Sequence, residues 1–200
     1  MKKKKSPFIY IILLPLIVIV AISIYNHIYN RIENELYPLP EEYLPVIKRC
    51  SEQYGIPLEL LCAVINTESS FDPSAQSSAD ARGMMQITEE TFNWLQYRMG
   101  IEGTYSFDVL FDYEKNITFG SYFLSLLYEE FNDWDIALAA YNAGRGSVNK
   151  WLADPDIAQD GKLVNIPYEE TKHYIEKVNN AKEKYIALYF SEESSEKTDD

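Results

Sequence analysis

Residues Ile65 to Gln86 read INTESSFDPSAQSSADARGMMQ. They overlap an apolar run, Leu60-Leu61-Cys62-Ala63-Val64-Ile65, and place one carboxylate, Glu68, at its polar end. Small and polar residues follow without periodicity, until the chain turns apolar again at Gly83-Met84-Met85-Gln86-Ile87. A helix ending in a lone acid, followed by a loop that folds back over it, leaves that acid half-buried. At a helix C-terminus the macrodipole is negative and disfavours a further negative charge. Burial acts in the same direction, so the Glu68 carboxyl is expected to hold its proton to higher pH than a solvated one, as a proton donor must.

Working outward, the remaining segments read as helices. Leu44, Ile47 and Cys50 fall at helical spacing in Glu41 to Tyr54, and Gly55 is the stop. Pro57 opens the acid-bearing helix, where no N–H donor is needed. Thr88 has the character of an N-cap, with Glu89 and Glu90 in the first turn of a helix reaching about Met99. Gly100 to Leu110 reads as loop. Asp112 starts a long helix whose apolar face, Ile117, Gly120, Leu124, Leu127 and Phe131, is expected at the centre of the core, with Gly120 admitting a neighbouring helix. Trp134 to Ala143 and Val148 to Leu152 are short helices around the turn at Gly144 and Gly146. Asp154 to Asn165 reads as polar loop, and Glu169 to about Phe190 as a last helix with Tyr174, Val178, Ala181 and Tyr185 on one face. No stretch reads as a convincing strand. The expected class is mainly α.

Charge and composition limit the function. The net charge is −13, and four of the 18 basic residues are Lys2 to Lys5, so the body of the chain is strongly acidic. Nucleic acid is excluded as a partner, because it requires a basic footprint. The two cysteines, Cys50 and Cys62, read as thiols on neighbouring helices rather than as a disulfide, and with the two histidines, His27 and His173, they fit no zinc spacing. No metal and no cofactor are expected.

The N-terminus has its own logic. The run from Phe8 to Tyr25, FIYIILLPLIVIVAISIY, contains no charge over 18 residues. A membrane-spanning helix needs about 17–25 such residues, and Pro15 is tolerated there. The expected organisation is a cytoplasmic basic tail over 1–7, a transmembrane anchor over 8–25, a stalk over 26–40, a folded domain over 41–190 and an acidic disordered tail over 191–200. The positive-inside rule then places the folded domain outside the cytoplasm, with a single-pass chain in the cell membrane. A cleaved signal peptide is the alternative; Ala21-Ile22-Ser23 resembles a cleavage site but lies inside the apolar run.

Four stretches occur in a telling order: Glu68-Ser69-Ser70-Phe71-Asp72-Pro73, Gly83-Met84-Met85-Gln86-Ile87, Ala139-Ala140-Tyr141-Asn142-Ala143-Gly144, and Ile166-Pro167-Tyr168-x-Glu170-Thr171-Lys172-x-Tyr174. Together they resemble the four motifs of the soluble lytic transglycosylase catalytic domain, a family with a lysozyme-like fold and a substrate cleft, related to goose-type lysozyme. The resemblance covers about Glu41 to Phe190. The family usually has Gly where Asp80 stands, Pro near Ser78, Leu for Met84 and Arg for Lys172.

The resemblance implies a lyase acting on the glycan strands of peptidoglycan. Such enzymes cleave the β-1,4 bond between N-acetylmuramic acid and N-acetylglucosamine without water and leave 1,6-anhydromuramic ends. Ordinary glycosidases use two carboxylates, and here the motif supplies only Glu68, because the substrate's N-acetyl oxygen and C6 hydroxyl do the work of the second. Glu68 is then the catalytic acid and base. By the same resemblance Gln86 binds an acetamido group, Ser77 touches the same sugar, Tyr141 lines the cleft and Glu170 binds substrate. Asn142 reads as a structural hydrogen-bonder first and a substrate contact second. Trp94, Trp134 and Trp151 are assigned to core packing. Two other readings stay open at this point: a hydrolytic muramidase on the same scaffold, and an inactive glycan-binding module of an envelope assembly. Partners in such an assembly are equally open.

Overall fold

The seven residues Leu60 to Asn66 are buried in succession. They lie on α3 (Leu58–Ser69), which is therefore enclosed on every side. The computed structural model describes residues 8–191, with side chains from Leu14 onward. The segment 1–7, and all of 191–200 except Ser191, lie outside the described residues.

The other helices are α1 (Phe8–Leu36), α2 (Leu44–Tyr54), α4 (Glu89–Met99), α5 (Tyr113–Phe131), α6 (Trp134–Ala143), α7 (Arg145–Leu152) and α8 (Glu169–Tyr185). The chain divides into two compact units between Tyr37 and Pro38. The first contains α1, which runs on through the expected stalk to Leu36, two residues before Pro38. Its large apolar side chains from Leu14 to Ile24 are exposed. Among the described residues, no helix is long and apolar enough to cross a membrane.

In the second unit, α3 packs chiefly against α8, and α5 against α6 and α2. The sequence pattern placed α5 at the centre of the core, and α5 packs against α2, α4, α6 and the segment 107–111; α3 is buried along a greater share of its length. The physical reason is plain in the residues. The run LLCAVI offers no polar position for water, whereas α5 alternates an apolar face with Glu114, Glu129 and Glu130, all exposed. Gly120 on α5 does admit a close neighbour, but the neighbour is a loop side chain: a Cβ there would come within 2.7 Å of Met85 Cβ.

Helix ends follow local chemistry. Gly55 closes α2 at φ 65°, and Thr88 caps α4 by accepting from Thr91 N–H at 3.3 Å. Asp112 and Asp133 cap α5 and α6 in the same way. Three expectations are corrected. A 3-10 turn, Phe107–Phe111, occupies the end of the expected 100–110 loop. The expected 154–165 loop contains a small antiparallel hairpin, β1 (Ala158–Gln159) with β2 (Lys162–Leu163). Asp160 and Gly161 turn it at φ 51° and 75°, a hairpin signal that the surrounding polarity obscured. The last helix changes to a π-helical turn at Ile186–Phe190 rather than running on unchanged.

Candidate active site

Glu68 stands in the last turn of α3, half-buried against α8. The Tyr174 hydroxyl, on α8, donates to Glu68 Oε1 at 2.6 Å. Three residues along α8, Lys177 Nζ donates to the Thr67 carbonyl at 3.2 Å, which ties this end of α3 down and brings a positive charge near the acid. Burial pushes the Glu68 carboxyl up to about 7; the Tyr174 hydrogen bond and the Lys177 charge oppose that rise without cancelling it. The expected direction is thus met, and desolvation dominates it. The groups acting on the carboxyl are hydroxyls and an ammonium, not a second carboxylate.

The loop after α3 is built to fold back. Ser70 and Phe71 adopt left-handed backbone at φ 53° and 64°. Each such residue costs about 1–2 kcal/mol. Burying the Phe71 ring, 4 % exposed, recovers about 1.5–3 kcal/mol, so the sharp reversal is tolerated. Asp80, where the family usually has Gly, is also left-handed at φ 57°. Its carboxylate accepts from Arg82 Nε at 2.9 Å and Nη2 at 3.1 Å, a forked pairing that offsets the backbone cost. Arg82 also donates to Asp108 at 2.6 Å and lies 4.0 Å from the Phe107 ring centroid.

Three staples hold the returning strand of the loop over the helix end. Ser69 Oγ donates to Met84 O at 2.9 Å. The Tyr141 hydroxyl, on α6, donates to Met85 O at 2.6 Å. Asn116, fully buried on α5, accepts from Met85 N–H at 2.7 Å and donates to the carbonyls of Arg82 and Leu110 at 2.8 and 2.9 Å. Gly83 is required there: a Cβ would collide with the Leu110 carbonyl and the Asn116 amide.

The residues singled out in the sequence fare differently. Tyr141 lies near Glu68, and burial, with the Glu68 charge second, drives its hydroxyl well above the usual tyrosine range, so it remains a donor. Gln86, left-handed at φ 46°, gives its side-chain N–H donors to the carbonyls of Gly83 and Ala75 at 2.9 and 3.2 Å. Only its Oε1 is left to meet a ligand, so the two-way recognition of an acetamido group reduces to accepting. Ser77 Oγ is an acceptor inside the loop, for the N–H groups of Ala79 and Ala81 at 3.2 and 3.1 Å. Asn142 Oδ1 accepts from Thr171 Oγ1 at 2.7 Å, the structural role read first for it. Glu170 is exposed in the first turn of α8, one turn before Tyr174. The sequence reading placed Tyr174 on the core face and missed its bond to Glu68; its place in the fourth motif was the available signal. Ser69 and Asn116 were missed as staples, and Asn116, a polar residue on an apolar helix face, was the cue. Cys50 and Cys62 are free and buried. Among the described residues no cluster of His, Cys, Asp or Glu suits a metal ion.

A helical, lysozyme-like domain with an acid half-buried at a helix end under a stapled loop defines the class. Residues 45–164 match the transglycosylase SLT domain, and the chain belongs to that family. Over 184 residues it is 32 % identical to the membrane-bound lytic murein transglycosylase C of Serratia proteamaculans (strain 568), a match that takes in 81 % of this chain and 51 % of that protein. The chain therefore spans about half the length of that relative. The 70 kDa soluble lytic transglycosylase SLT70 of Escherichia coli superposes with a TM-score of 0.70 at 29 % identity, over 81 % of this chain and 26 % of that one. The complex of the 70 kDa soluble lytic transglycosylase with bulgecin A gives a TM-score of 0.70 at 30 % identity, over 80 % and 26 %.

Proposed function

We propose that this protein is a peptidoglycan lytic transglycosylase in which Glu68 serves as both acid and base. The observation that carries the reading is a lone carboxyl, lifted to about 7 by burial and held by Tyr174, beneath a loop of the family's second motif. Protonated Glu68 donates to the oxygen linking muramic acid to glucosamine as the muramic C1–O bond breaks. The substrate's own acetamido oxygen stabilises the electron-poor C1. Glu68, now a carboxylate, takes the proton of the muramic C6 hydroxyl as that oxygen bonds to C1. The products are a 1,6-anhydromuramic end and a free 4-hydroxyl, with no water consumed and Glu68 reprotonated. Tyr141 and Tyr174 wall the acid, Gln86 Oε1 meets a donor on the sugar, and Ser77, Asn142 and Glu170 contact substrate at the cleft edges. Mass spectrometry of products from purified sacculi tests this. Ends lighter by one water than reducing ends are expected; reducing ends would make the protein a hydrolytic muramidase.

We further infer that the N-terminal helix anchors the domain in the cell membrane, with the folded part outside the cytoplasm. Described side chains cover only residues 14–25 of the uncharged run, short of the about 17–25 residues a span requires, and the sequence from Phe8 supplies the remaining six. Exposure of the apolar side chains from Leu14 to Ile24 supports the same reading. Such a placement admits envelope assemblies as partners. Recovery of the full chain in the soluble fraction, where a chain lacking residues 1–37 is expected, would remove the anchor.

A further inference from the structure

Thr171, in the first turn of α8, is 1 % exposed. Its hydroxyl donates to Asn142 Oδ1, on the facing helix α6, at 2.7 Å. Among the described residues that oxygen is the one acceptor the hydroxyl meets. A buried O–H without an acceptor is costly, so the bond settles which way the Asn142 amide faces. Oδ1 turns to Thr171 and Nδ2 turns away. Rotated by half a turn, the amide would aim its own donors at Oγ1 and leave the hydroxyl hydrogen with no partner. Among the described residues nothing accepts from Nδ2, and this nitrogen, on a half-buried side chain, is open to solvent.

The helix that fixes this free donor also holds the acid. Tyr174 follows Thr171 by three residues on the buried side of α8, about 4.5 Å along the axis. The Tyr174 hydroxyl donates to Glu68 Oε1 at 2.6 Å. Tyr141, the residue before Asn142, donates to the carbonyl of Met85, the residue before Gln86. The amides of Gln86 and Asn142 are complementary. Gln86 gives its donors to loop backbone and keeps an acceptor; Asn142 gives its acceptor to Thr171 and keeps its donors. An uncharged glycan offers hydroxyl and acetamido oxygens, and a neutral amide N–H suits either without bringing a charge near Glu68.

The geometry points to Thr171 as a positioning residue: it holds the Asn142 amide so that Nδ2 donates to an oxygen of the bound glycan. The inference rests on the glycan reading of the cleft. Calorimetric binding of the β-1,4-linked N-acetylglucosamine tetramer to the full chain carrying Glu68→Gln tests it. This oligomer is uncharged, so a charge added to the protein does not repel it, and Glu68→Gln removes the titration of the acid. Asn142→Asp keeps an oxygen for Thr171 and removes the donor; it should bind about tenfold more weakly, with the fold retained by circular dichroism. Thr171→Val frees the amide to rotate and should weaken binding roughly three- to tenfold, while Thr171→Ser stays within about twofold of the parent. Thr171→Val added to Asn142→Asp should weaken binding no further, because Thr171 acts only through the amide. Parent-like binding in Asn142→Asp would reduce the Thr171–Asn142 bond to a tie between helices and overturn the proposal. Losses that add in the double variant overturn it, as does a loss in Thr171→Ser as large as that in Thr171→Val. A parent chain that does not bind the tetramer overturns it too. Binding needs no turnover: a chain that binds in this pattern and releases no 1,6-anhydro ends would refute the enzymatic reading and leave this one standing.

Discussion

The C-terminal turn of α3 and the N-terminal turn of α8 each carry a glutamate, and the two are opposites. Glu68 sits where the α3 carbonyls point, half out of water, with a tyrosine hydroxyl on one oxygen. Glu170 sits where the α8 N–H groups point, exposed, with no fixed partner described. A helix dipole opposes the charge of the first and favours that of the second. Burial adds to the first effect and is missing from the second. The same side chain is thereby pushed toward its protonated form at one helix end and left in water at the other. The residue type does not decide this; its position on the helix and its distance from water do.

Several substitutions would break or sharpen that contrast. Glu68→Gln keeps the shape and the acceptor for Tyr174 but carries no transferable proton, so murein cleavage should fall at least ~1,000-fold, read as release of anhydromuropeptides. Retained activity would move the chemistry elsewhere. Gly120→Ala attacks the loop over the acid: its methyl displaces Met85, with an expected loss of about 1–3 kcal/mol in urea denaturation and weakened cleavage. Tyr174→Phe removes the hydrogen bond that lowers the Glu68 pKa, so the alkaline limb of kcat/KM should move upward from about 7 and the rate should drop roughly tenfold. An unmoved limb would show that another group titrates there. Glu170→Gln, at the solvated end, should raise KM by no more than about threefold and leave the pH profile in place.

The stability of the fold tests the same contrast without substrate. The Glu68 pKa is raised in the folded chain, so the native state binds the extra proton between about 4.5 and about 7. Stability from this group is therefore fully present below the lower value and lost as pH rises through the upper one. Glu68→Gln should match the native chain at pH 4 and exceed it above pH 7 by about 1–3 kcal/mol, discounted for partial exposure. Equal stability at both pH values would mean that the carboxyl is better hydrated than its surroundings indicate. A gain of this kind, alongside lost activity, is the usual trade-off where a site holds a group in an unfavourable environment.

Parts of this architecture were legible residue by residue. Thr88, Asp112 and Gly55 mark helix ends through chemistry confined to one turn, and the structure uses each as read. The Asp160–Gly161 hairpin was missed because its strands are two residues long, too short for apolar alternation to mark them. The all-round burial of α3 was missed because helical spacing describes one face of a helix and cannot say how many faces are covered. In the site, the donor groups of Gln86 and the acceptor of Ser77 proved to be occupied by loop backbone. A side chain's type states what it can bond, but its neighbours take their share first.

The sequence by itself determined a mainly helical domain with one acid at the polar end of an apolar helix, followed by a loop rich in small residues. It determined, too, the order of the four motifs. The working state of the acid was decided in three dimensions alone. Tyr174 stands 106 residues from Glu68 in the chain, and the water excluded from around the carboxyl is displaced by α8 and the loop together. Desolvation and through-space hydrogen bonding depend on which distant surfaces meet, and no local spacing of residues records that.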